Sequence, residues 1–237
     1  MILLKELKSF CKMTQYLSSV GLVVSASIIT ADLTLPKHSY ALGIGNHSDY
    51  IDWANLYAQN AGTYDDFLSA LAKRETGAGN PTYSNTNNQW GFIGKYQFGE
   101  ALLIDLGYYT SDVYYGQSGI DKNYWHGEWT GKGGVNSKEE FLGNKNNVQE
   151  IAIREAMQLR WNRINTLLIE QGKSLDEFIN QPIEGIAVTK SGILAAGHLR
   201  GEVNTTRLLL ENYISRDEQN TSILAYLNEF AGYDVPF

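Results

Sequence analysis

The sequence predicts a mainly α-helical protein with a single domain and long polar, aromatic-rich loops. Apolar residues recur at helical spacing in several long segments. Two Thr/Ser-x-x-Asp/Glu patterns, which begin at Thr63 and Ser137, mark helix starts. Alternating apolar and polar residues, which indicate strands, are sparse. The chain has 237 residues, 43% of them hydrophobic, which is enough for one substantial core, and no second-domain boundary is visible.

Residues 1–41 are predicted to form a secretory leader. A basic start precedes a mostly apolar stretch that is short for a membrane span, which needs about 20 apolar residues; these features are Lys5, Lys8, Lys12 and Leu17 to Ile29. Ala31 and Ala41 are candidate cleavage positions, and small residues around Ala41 favour the second. The mature protein is then periplasmic or extracellular. The alternative is an uncleaved N-terminal helix or anchor, which would be the protein's only link to a membrane.

Charge and cysteine content exclude several function classes. The formal net charge is −7, the pI is about 5.1 and no long basic run is present, so nucleic acid is not a predicted partner. Cleavage of the leader removes Cys11, which is the only cysteine, and with it any disulfide, thiol nucleophile or thiolate metal site. The four histidines show no paired metal spacing. No metal or other cofactor is predicted.

The elements follow one another with clear boundaries. Residues 42–62 are a flexible lead-in and a first helix, Tyr50–Asn60, and residues 63–237 are the predicted catalytic domain. The Thr63-Tyr64-Asp65-Asp66 capping box opens a helix that Thr76-Gly77 ends. Further helices are predicted at Tyr96–Leu106, from Ser137 through Leu142, and at Asn147–Gln171, Ser174–Asn180, Thr189–His198, Thr205–Ser215 and Ile223–Phe230. Asn80–Gly94 and Tyr108–Gly134 are predicted loops, and the second is long enough to be functional.

Glu75, in Arg74-Glu75-Thr76-Gly77, is the candidate catalytic acid. Helix C-termini carry partial negative charge, which disfavours a carboxylate, and partial burial would raise the pKa of the carboxyl further. A glycosidase needs a carboxyl that is still protonated near neutral pH, so that it can donate to the glycosidic oxygen. The alternative is a solvated surface residue, which is the usual role of a glutamate at a helix end.

Two further segments carry candidate site residues. Gly91–Gly99 is a glycine-rich turn in which the Gln97 amide can bind a sugar or orient a carboxyl group; the alternative is a helix-capping amide. Gly192–Gly201 is rich in small residues that suit close helix packing. His198, within it, can form a hydrogen bond at the floor of a cleft, or be a structural histidine.

These three segments, in this order, resemble the lysozyme-like superfamily, in particular lytic transglycosylases and goose-type lysozymes. Glu75-Thr76 is similar to the family's Glu-Ser dipeptide, and Gly94-Lys95-Tyr96-Gln97 to its Gly-Leu-Met-Gln motif. Gly197-His198 stands where the family has Tyr-Asn. Two alternatives follow: His198 replaces the asparagine, or another tyrosine enters from the loop. The resemblance covers about Asp65 to Leu210 and implies a lysozyme-like domain without a cofactor.

The resemblance also implies a reaction on peptidoglycan. Glu75 protonates the oxygen of the MurNAc–GlcNAc β-1,4 bond, and an oxocarbenium-like centre develops on MurNAc. In a transglycosylase Glu75 then acts as the base while the MurNAc 6-hydroxyl closes a 1,6-anhydro ring. In a lysozyme water attacks, usually with a second carboxylate. Candidates for that carboxylate are Asp105, Asp121 and Glu128.

The predicted partner is therefore a peptidoglycan glycan strand, and a secretion or cell-envelope machine is a further candidate partner. Asparagine and aromatic side chains of the loops suit hydroxyl recognition and stacking on sugar rings, although each aromatic can equally pack in the core. The predicted substrate-binding residues are Gly94, Tyr96, Gln97, Asn88, Trp90, Trp129 and His198. The alternative from another class is a non-catalytic wall-binding module on the same scaffold.

Overall fold

Helices dominate the part of the chain that the structure describes. The computed structural model of the protein describes residues 61–86, 89–112, 123–217 and 219–237, and these belong to one compact unit. The mainly α fold class is thereby confirmed. The predicted leader and the predicted helix Tyr50–Asn60 lie outside the described residues.

The described α-helices differ widely in length. None of them combines the length and the apolar character that a membrane crossing requires. Their bounds are α1 Tyr64–Thr76, α2 Glu100–Asp105, α3 Lys138–Leu142, α4 Val148–Glu170, α5 Lys190–Glu211 and α6 Ile223–Glu229, with short 3-10 turns at Lys132–Gly134, Lys145–Asn147 and Leu175–Glu177.

Strand structure among the described residues consists of two short antiparallel pairs and a few isolated bridges. In the first pair, β1 (Tyr109–Thr110) and β2 (Glu128–Trp129), Tyr109 lies opposite Trp129. This pair lies within the predicted loop Tyr108–Gly134, of which residues 108–112 and 123–134 are described. In the second pair, β3 (Pro182–Ile183) and β4 (Ile186–Ala187), Pro182 lies opposite Ala187.

The predicted ends of α1 are confirmed. The Thr63 hydroxyl accepts a hydrogen bond from the Asp66 backbone N–H at 3.3 Å, and the Asp66 carboxylate accepts one from the Thr63 N–H at 2.9 Å. These two bonds satisfy N–H groups that the first turn of a helix leaves without partners. At the other end, Gly77 adopts φ 63° and stops the helix directly after Glu75 and Thr76.

The prediction that a helix begins at Tyr96 is wrong, because α2 begins only at Glu100. Ile93 and Phe98 exchange two backbone hydrogen bonds, of 3.0 and 2.7 Å, which close a tight loop in place of the first helical turn. Gly94 within this loop has φ 82°, and a Cβ there would lie 2.3 Å from Oε1 of Gln149. Only glycine fits this turn, since any side chain would meet both the strained backbone and the glutamine.

The core lies where α5 packs between α4 and α6. The small residues at the start of α5 allow a close approach, as predicted: Gly192 to Gly197 are all buried. A Cβ at Gly192 would lie 2.6 Å from the carbonyl oxygen of Leu227 in α6, and a Cβ at Gly197 would lie 3.3 Å from Cδ1 of Ile164 in α4. The three helices are thereby held at nearly backbone-to-backbone distance on one side of the cavity described below.

A break at Gly201 divides α5. The two predicted helices Thr189–His198 and Thr205–Ser215 form one continuous element, but Gly201 departs from helical geometry with φ 74° and ψ 171°. This combination is accessible almost only to glycine. The break directly follows the segment that carries His198, so it redirects the chain at the edge of the cavity.

Substitution of Gly201 is expected to be costly because of its backbone alone. A Cβ at Gly201 meets no atom within 4 Å, so Gly201→Ala adds strain without a clash. We expect the free energy of unfolding in urea to fall by about 1–3 kcal/mol. Gly79→Ala is the matched control, since a Cβ there also meets nothing within 4 Å and the backbone does not have a positive φ. Equal stabilities of the two variants would contradict the strain at Gly201.

Candidate active site

One open cavity of about 710 Å³ lies between the C-terminal end of α1, the Gly91–Gly99 turn and helices α4, α5 and α6. Its lining combines acidic, basic and aromatic side chains. The lining residues used below are Arg74, Glu75, Trp90, Gln97, Asp105, Arg160, Arg163, His198, Glu202, Asp217 and Tyr226. A mixed polar and aromatic lining of this kind suits a ligand rich in hydroxyl groups.

Glu75 lies in the last turn of α1 and lines the cavity. Its side chain is only 18% exposed. The Tyr226 hydroxyl donates a hydrogen bond of 2.9 Å to Oε1. Nε2 of His198 lies 3.6 Å from the same oxygen. The carboxyl is therefore held by the first and last of the described helices, with α5 alongside.

Burial raises the pKa of Glu75 to about 7. The hydrogen bond from Tyr226 and the positive charges of Arg74 and Arg160 act in the opposite direction, while the negative charge of Asp217 adds to the rise. Loss of hydration disfavours the ionised form more than these partners favour it. A substantial fraction of the carboxyl is therefore protonated at neutral pH, as the sequence predicted.

His198 is a buried, neutral imidazole. Its side chain is 7% exposed, and burial together with the charge of Arg160 lowers its pKa to about 3. Its Nδ1 atom is buried and has no hydrogen-bond partner among the described residues. The contact with Glu75 is therefore not an ion pair at neutral pH, because the imidazole carries no charge there.

Arg160 lies in α4 beneath the cavity and was not among the predicted site residues. Its Nη1 atom donates a hydrogen bond of 2.7 Å to the carbonyl oxygen of Gly197 and lies 3.5 Å from Oε1 of Glu202. A sequence signal for it exists. Arg160 falls on the same face of the helix as the buried residues Met157 and Ile164, and a charged residue on an apolar stripe needs a partner in the core.

Tyr226 also escaped sequence reasoning. It lies in α6, 151 residues after Glu75, and it shares a buried face with Ile223 and Leu227. That spacing is indistinguishable from ordinary core packing. One alternative drawn from the sequence was a tyrosine that approaches the acid from a loop, whereas the tyrosine that contacts Glu75 belongs to a helix.

The structure brings Trp90, Gln97 and His198 to the cavity together with Glu75. The Gln97 amide donates a hydrogen bond of 2.9 Å from Nε2 to the carbonyl oxygen of Gly94. This bond closes the turn and does not cap α2, whose N-terminus has no side-chain cap; the side chain still lines the cavity. The carbonyl oxygen of Trp90 accepts bonds of 2.9 and 3.0 Å from the backbone N and Nδ2 of Asn123.

The other predicted substrate-binding residues that the structure describes lie away from the cavity. The Tyr96 side chain is buried, and its hydroxyl donates a hydrogen bond of 2.7 Å to Oε2 of Glu150. Gly94 is enclosed against Gln149, so it shapes the turn rather than a ligand surface. The Trp129 ring packs on Trp125 and Phe141. Asn88 lies outside the described residues.

The candidate second carboxylates are separated by the fold. Asp105 lines the cavity, but its Oδ2 accepts a hydrogen bond of 2.6 Å from Arg163. Glu128 is an exposed residue of β2, and Asp121 lies outside the described residues. Asp217, which was not predicted, lines the cavity from the loop before α6.

The loop around Asp217 is held by its own hydrogen bonds. Its Oδ1 accepts from the backbone N–H groups of Gln219 and Thr221, at 3.0 and 2.6 Å. Asp217 is thus fixed within the cavity wall. Within the described ranges, no group of three or more His, Cys, Asp or Glu side chains is arranged to bind a metal ion.

No protein-family model, curated protein or solved structure matches this chain. The family resemblance therefore stays a prediction, and a functional proposal depends on the residues and geometry of the cavity.

Glu75→Gln is expected to change how stability depends on pH. The pKa of Glu75 is raised from 4.5 to about 7, so ionisation of this carboxyl disfavours the folded state. The penalty begins as pH rises through 4.5, grows to about pH 7 and is constant above it. A glutamine at this position cannot ionise. The advantage of Glu75→Gln in free energy of unfolding should therefore grow by on the order of 3 kcal/mol across that window.

Urea unfolding between about pH 4 and pH 8 measures this difference. Glu170→Gln, which changes an exposed carboxyl at the end of α4, serves as the control and should show no comparable rise. A pH-independent difference for Glu75→Gln would mean that the carboxyl has the same pKa in the folded and the unfolded protein.

Proposed function

We propose that the protein cleaves the glycan strands of peptidoglycan at the MurNAc–GlcNAc β-1,4 bond, as a lytic transglycosylase with Glu75 as the general acid and base. The observation that carries this proposal is a carboxyl with a pKa raised to about 7 in an open polar cavity. Such a group is protonated often enough at neutral pH to donate and, once ionised, is basic enough to accept. Export to the periplasm or cell exterior, which the predicted leader implies, would bring the protein to this substrate.

The proposed reaction has two steps. Glu75 gives its proton to the glycosidic oxygen as the bond to C1 of MurNAc breaks, and positive charge develops on the MurNAc ring. The Glu75 carboxylate then takes the proton of the MurNAc 6-hydroxyl, whose oxygen bonds to C1 and closes the 1,6-anhydro ring. One group serves both steps, and its proton is restored at the end. The hydrogen bond from Tyr226 would keep the carboxyl in one orientation through both.

Two other cavity carboxylates, those of Asp105 and Glu202, are consistent with a single-acid reaction. Asp105 is engaged by Arg163 at 2.6 Å, and Glu202 lies 3.5 Å from Arg160. Ion pairing directs the oxygens of both carboxylates to the arginines. Neither is arranged to protonate a leaving group or to activate water, whereas ring closure by a hydroxyl of the substrate requires no second carboxylate.

Loss of the Glu75 proton should abolish cleavage. Glu75→Gln keeps the size of the side chain and an oxygen that can accept from Tyr226, but it cannot donate a proton as an acid. We expect release of soluble fragments from purified peptidoglycan to fall by roughly 100-fold or more, with an unchanged circular dichroism spectrum. Glu170→Gln is the control and should retain full activity.

Digestion at the native rate by Glu75→Gln would remove Glu75 from the reaction. A native protein that binds peptidoglycan in a pull-down but releases no fragments would favour the alternative of a non-catalytic wall-binding module.

Asp217 favours a second candidate function, a hydrolysing muramidase. Its carboxylate lines the same cavity and contributes to the raised pKa of Glu75. A second carboxylate in such a position can hold or activate water for attack on the sugar. The two candidates differ in product: ring closure leaves anhydro-MurNAc ends, and attack by water leaves reducing ends.

Under the proposed transglycosylase reaction, mass spectrometry of the native digest should show anhydro-MurNAc ends. Asp217→Asn should then keep the same product and lower the rate by less than about tenfold, because general-base catalysis, which is worth about 100-fold or more, is not lost. Asp105→Asn is the matched control, an isosteric change of another cavity carboxylate. Reducing ends from the native protein, with a loss of about 100-fold or more in Asp217→Asn alone, would establish the muramidase instead.

A further inference from the structure

We propose that His198 is a positioning residue for the acid: a neutral imidazole whose Nε2–H faces Oε1 of Glu75, determines which carboxyl oxygen carries the proton, and stabilises the carboxylate left after proton transfer. The role rests on the proposed function of Glu75 as a general acid. It differs from the substrate-binding role that the sequence predicted for His198.

The geometry around one oxygen atom supports this role. Tyr226 donates to Oε1 of Glu75 at 2.9 Å, and Nε2 of His198 lies 3.6 Å from the same Oε1. An oxygen that accepts a hydrogen bond from the tyrosine is the carbonyl-like oxygen of a protonated carboxyl. The proton of Glu75 is therefore assigned to Oε2. A contact of 3.6 Å is too long for a hydrogen bond, but such contacts often tighten when the reacting complex forms.

The environment of the other ring nitrogen determines the tautomer. Nδ1 of His198 is buried and has no hydrogen-bond partner within the described residues. A buried N–H without an acceptor is costly and rare. A neutral imidazole has one N–H, and at Nε2 that hydrogen faces a carboxyl oxygen. The hydrogen therefore belongs on Nε2, where the imidazole can donate to Glu75.

The neutral state of the imidazole is essential to this role. A protonated histidine beside Glu75 would favour the carboxylate and remove the proton that the reaction needs. A neutral donor supports the carboxylate when it forms without imposing a full charge before then. The charged and titratable groups around the pair come from every neighbouring element: Arg74 in α1, Arg160 in α4, Tyr226 in α6 and Asp217 in the loop before it.

Arg160 also fixes the backbone that carries His198. Its Nη1 atom donates to the carbonyl oxygen of Gly197, the preceding residue, at 2.7 Å. Gly197 lacks a Cβ, which would lie 3.3 Å from Ile164, and α5 can therefore lie close to α4. The break at Gly201 follows one turn later. The backbone that carries the imidazole is thus anchored to α4.

Two variants of His198 test whether the Nε2–H donor, rather than the volume of the side chain, is what Glu75 requires. His198→Leu fills a similar volume without a donor, and His198→Gln retains a neutral N–H donor. In peptidoglycan digestion, we expect His198→Leu to lower kcat roughly tenfold or more with little change in KM. Its carboxylate loses a donor, so the alkaline limb of kcat/KM should move above the native position near pH 7. His198→Gln should recover most of kcat and return the limb towards pH 7.

A raised KM with kcat and the alkaline limb unchanged would overturn the proposal, because His198 would then contact the sugar. Equal losses in His198→Gln and His198→Leu would also overturn it, because the donor would not matter. Thermal unfolding of both variants at one pH verifies that each is folded before kinetics are compared.

A stability measurement tests the same contact without any activity. The pH-dependent advantage of Glu75→Gln is measured in the native, H198L and H198Q backgrounds. We expect the window in which this advantage grows to extend to higher pH in H198L than in H198Q. An identical window in all three would refute the positioning role. If the native protein cleaves no peptidoglycan, the proposed function fails, and this measurement still decides whether His198 tunes Glu75.

Discussion

Arg160 carries a positive charge into the core beneath the cavity, and the properties of the site depend on it. A buried guanidinium is costly to desolvate unless it is hydrogen-bonded and compensated. The carbonyl of Gly197 and the carboxylate of Glu202 supply that compensation. The same charge lowers the pKa of both Glu75 and His198. Burial is the larger cause of the neutral histidine, and Arg160 adds to it; on Glu75 the same charge acts against the rise in pKa that burial imposes.

Glu75 is buried by side chains from segments that are far apart in the sequence. Glu75 ends α1, the cation comes from α4, the imidazole from α5 and the hydroxyl from α6. The small residues of α5 make this possible, because Gly192 and Gly197 let its backbone approach both neighbouring helices. The packing of three helices therefore determines the electrostatics of one carboxyl.

Local signals in the sequence predicted the helix ends well and the cavity only in part. The capping box at Thr63 and the stop at Gly77 depend on neighbouring residues, and both are present as predicted. They place Glu75 at a helix end, but its raised pKa comes from burial in the tertiary structure. The helix expected from Tyr96 was wrong, because bonds between Ile93 and Phe98 and the enclosure of Gly94 override local propensity.

The residues that sequence reasoning missed are those whose roles come only from contacts across the fold. Tyr226 lies on a buried helical face, where its hydroxyl partner is invisible in the sequence. Asp217 reaches the cavity from a loop with no recognisable motif. Arg160 was also missed, but the sequence carried a signal for it. A charged residue at the spacing of an apolar helix face indicates a buried charge with a partner in the core. Conversely, Tyr96 and Trp129 were predicted to bind substrate because their side chains suit sugar recognition. In the structure the Tyr96 hydroxyl donates to Glu150 and the Trp129 ring packs on Phe141.

The bond between Glu75 and Tyr226 joins residues 151 positions apart. The protonation state of Glu75 therefore depends on whether α6 has docked onto the rest of the fold. Ribosomal synthesis produces α1 early and α6 last. Until α6 docks, water has access to the Glu75 carboxyl, which then behaves as an ordinary ionised glutamate with no proton to give at neutral pH. An unfinished or misfolded chain consequently lacks a carboxyl that is protonated at neutral pH. The raised pKa of Glu75 therefore arises only when α6 packs against the carboxyl.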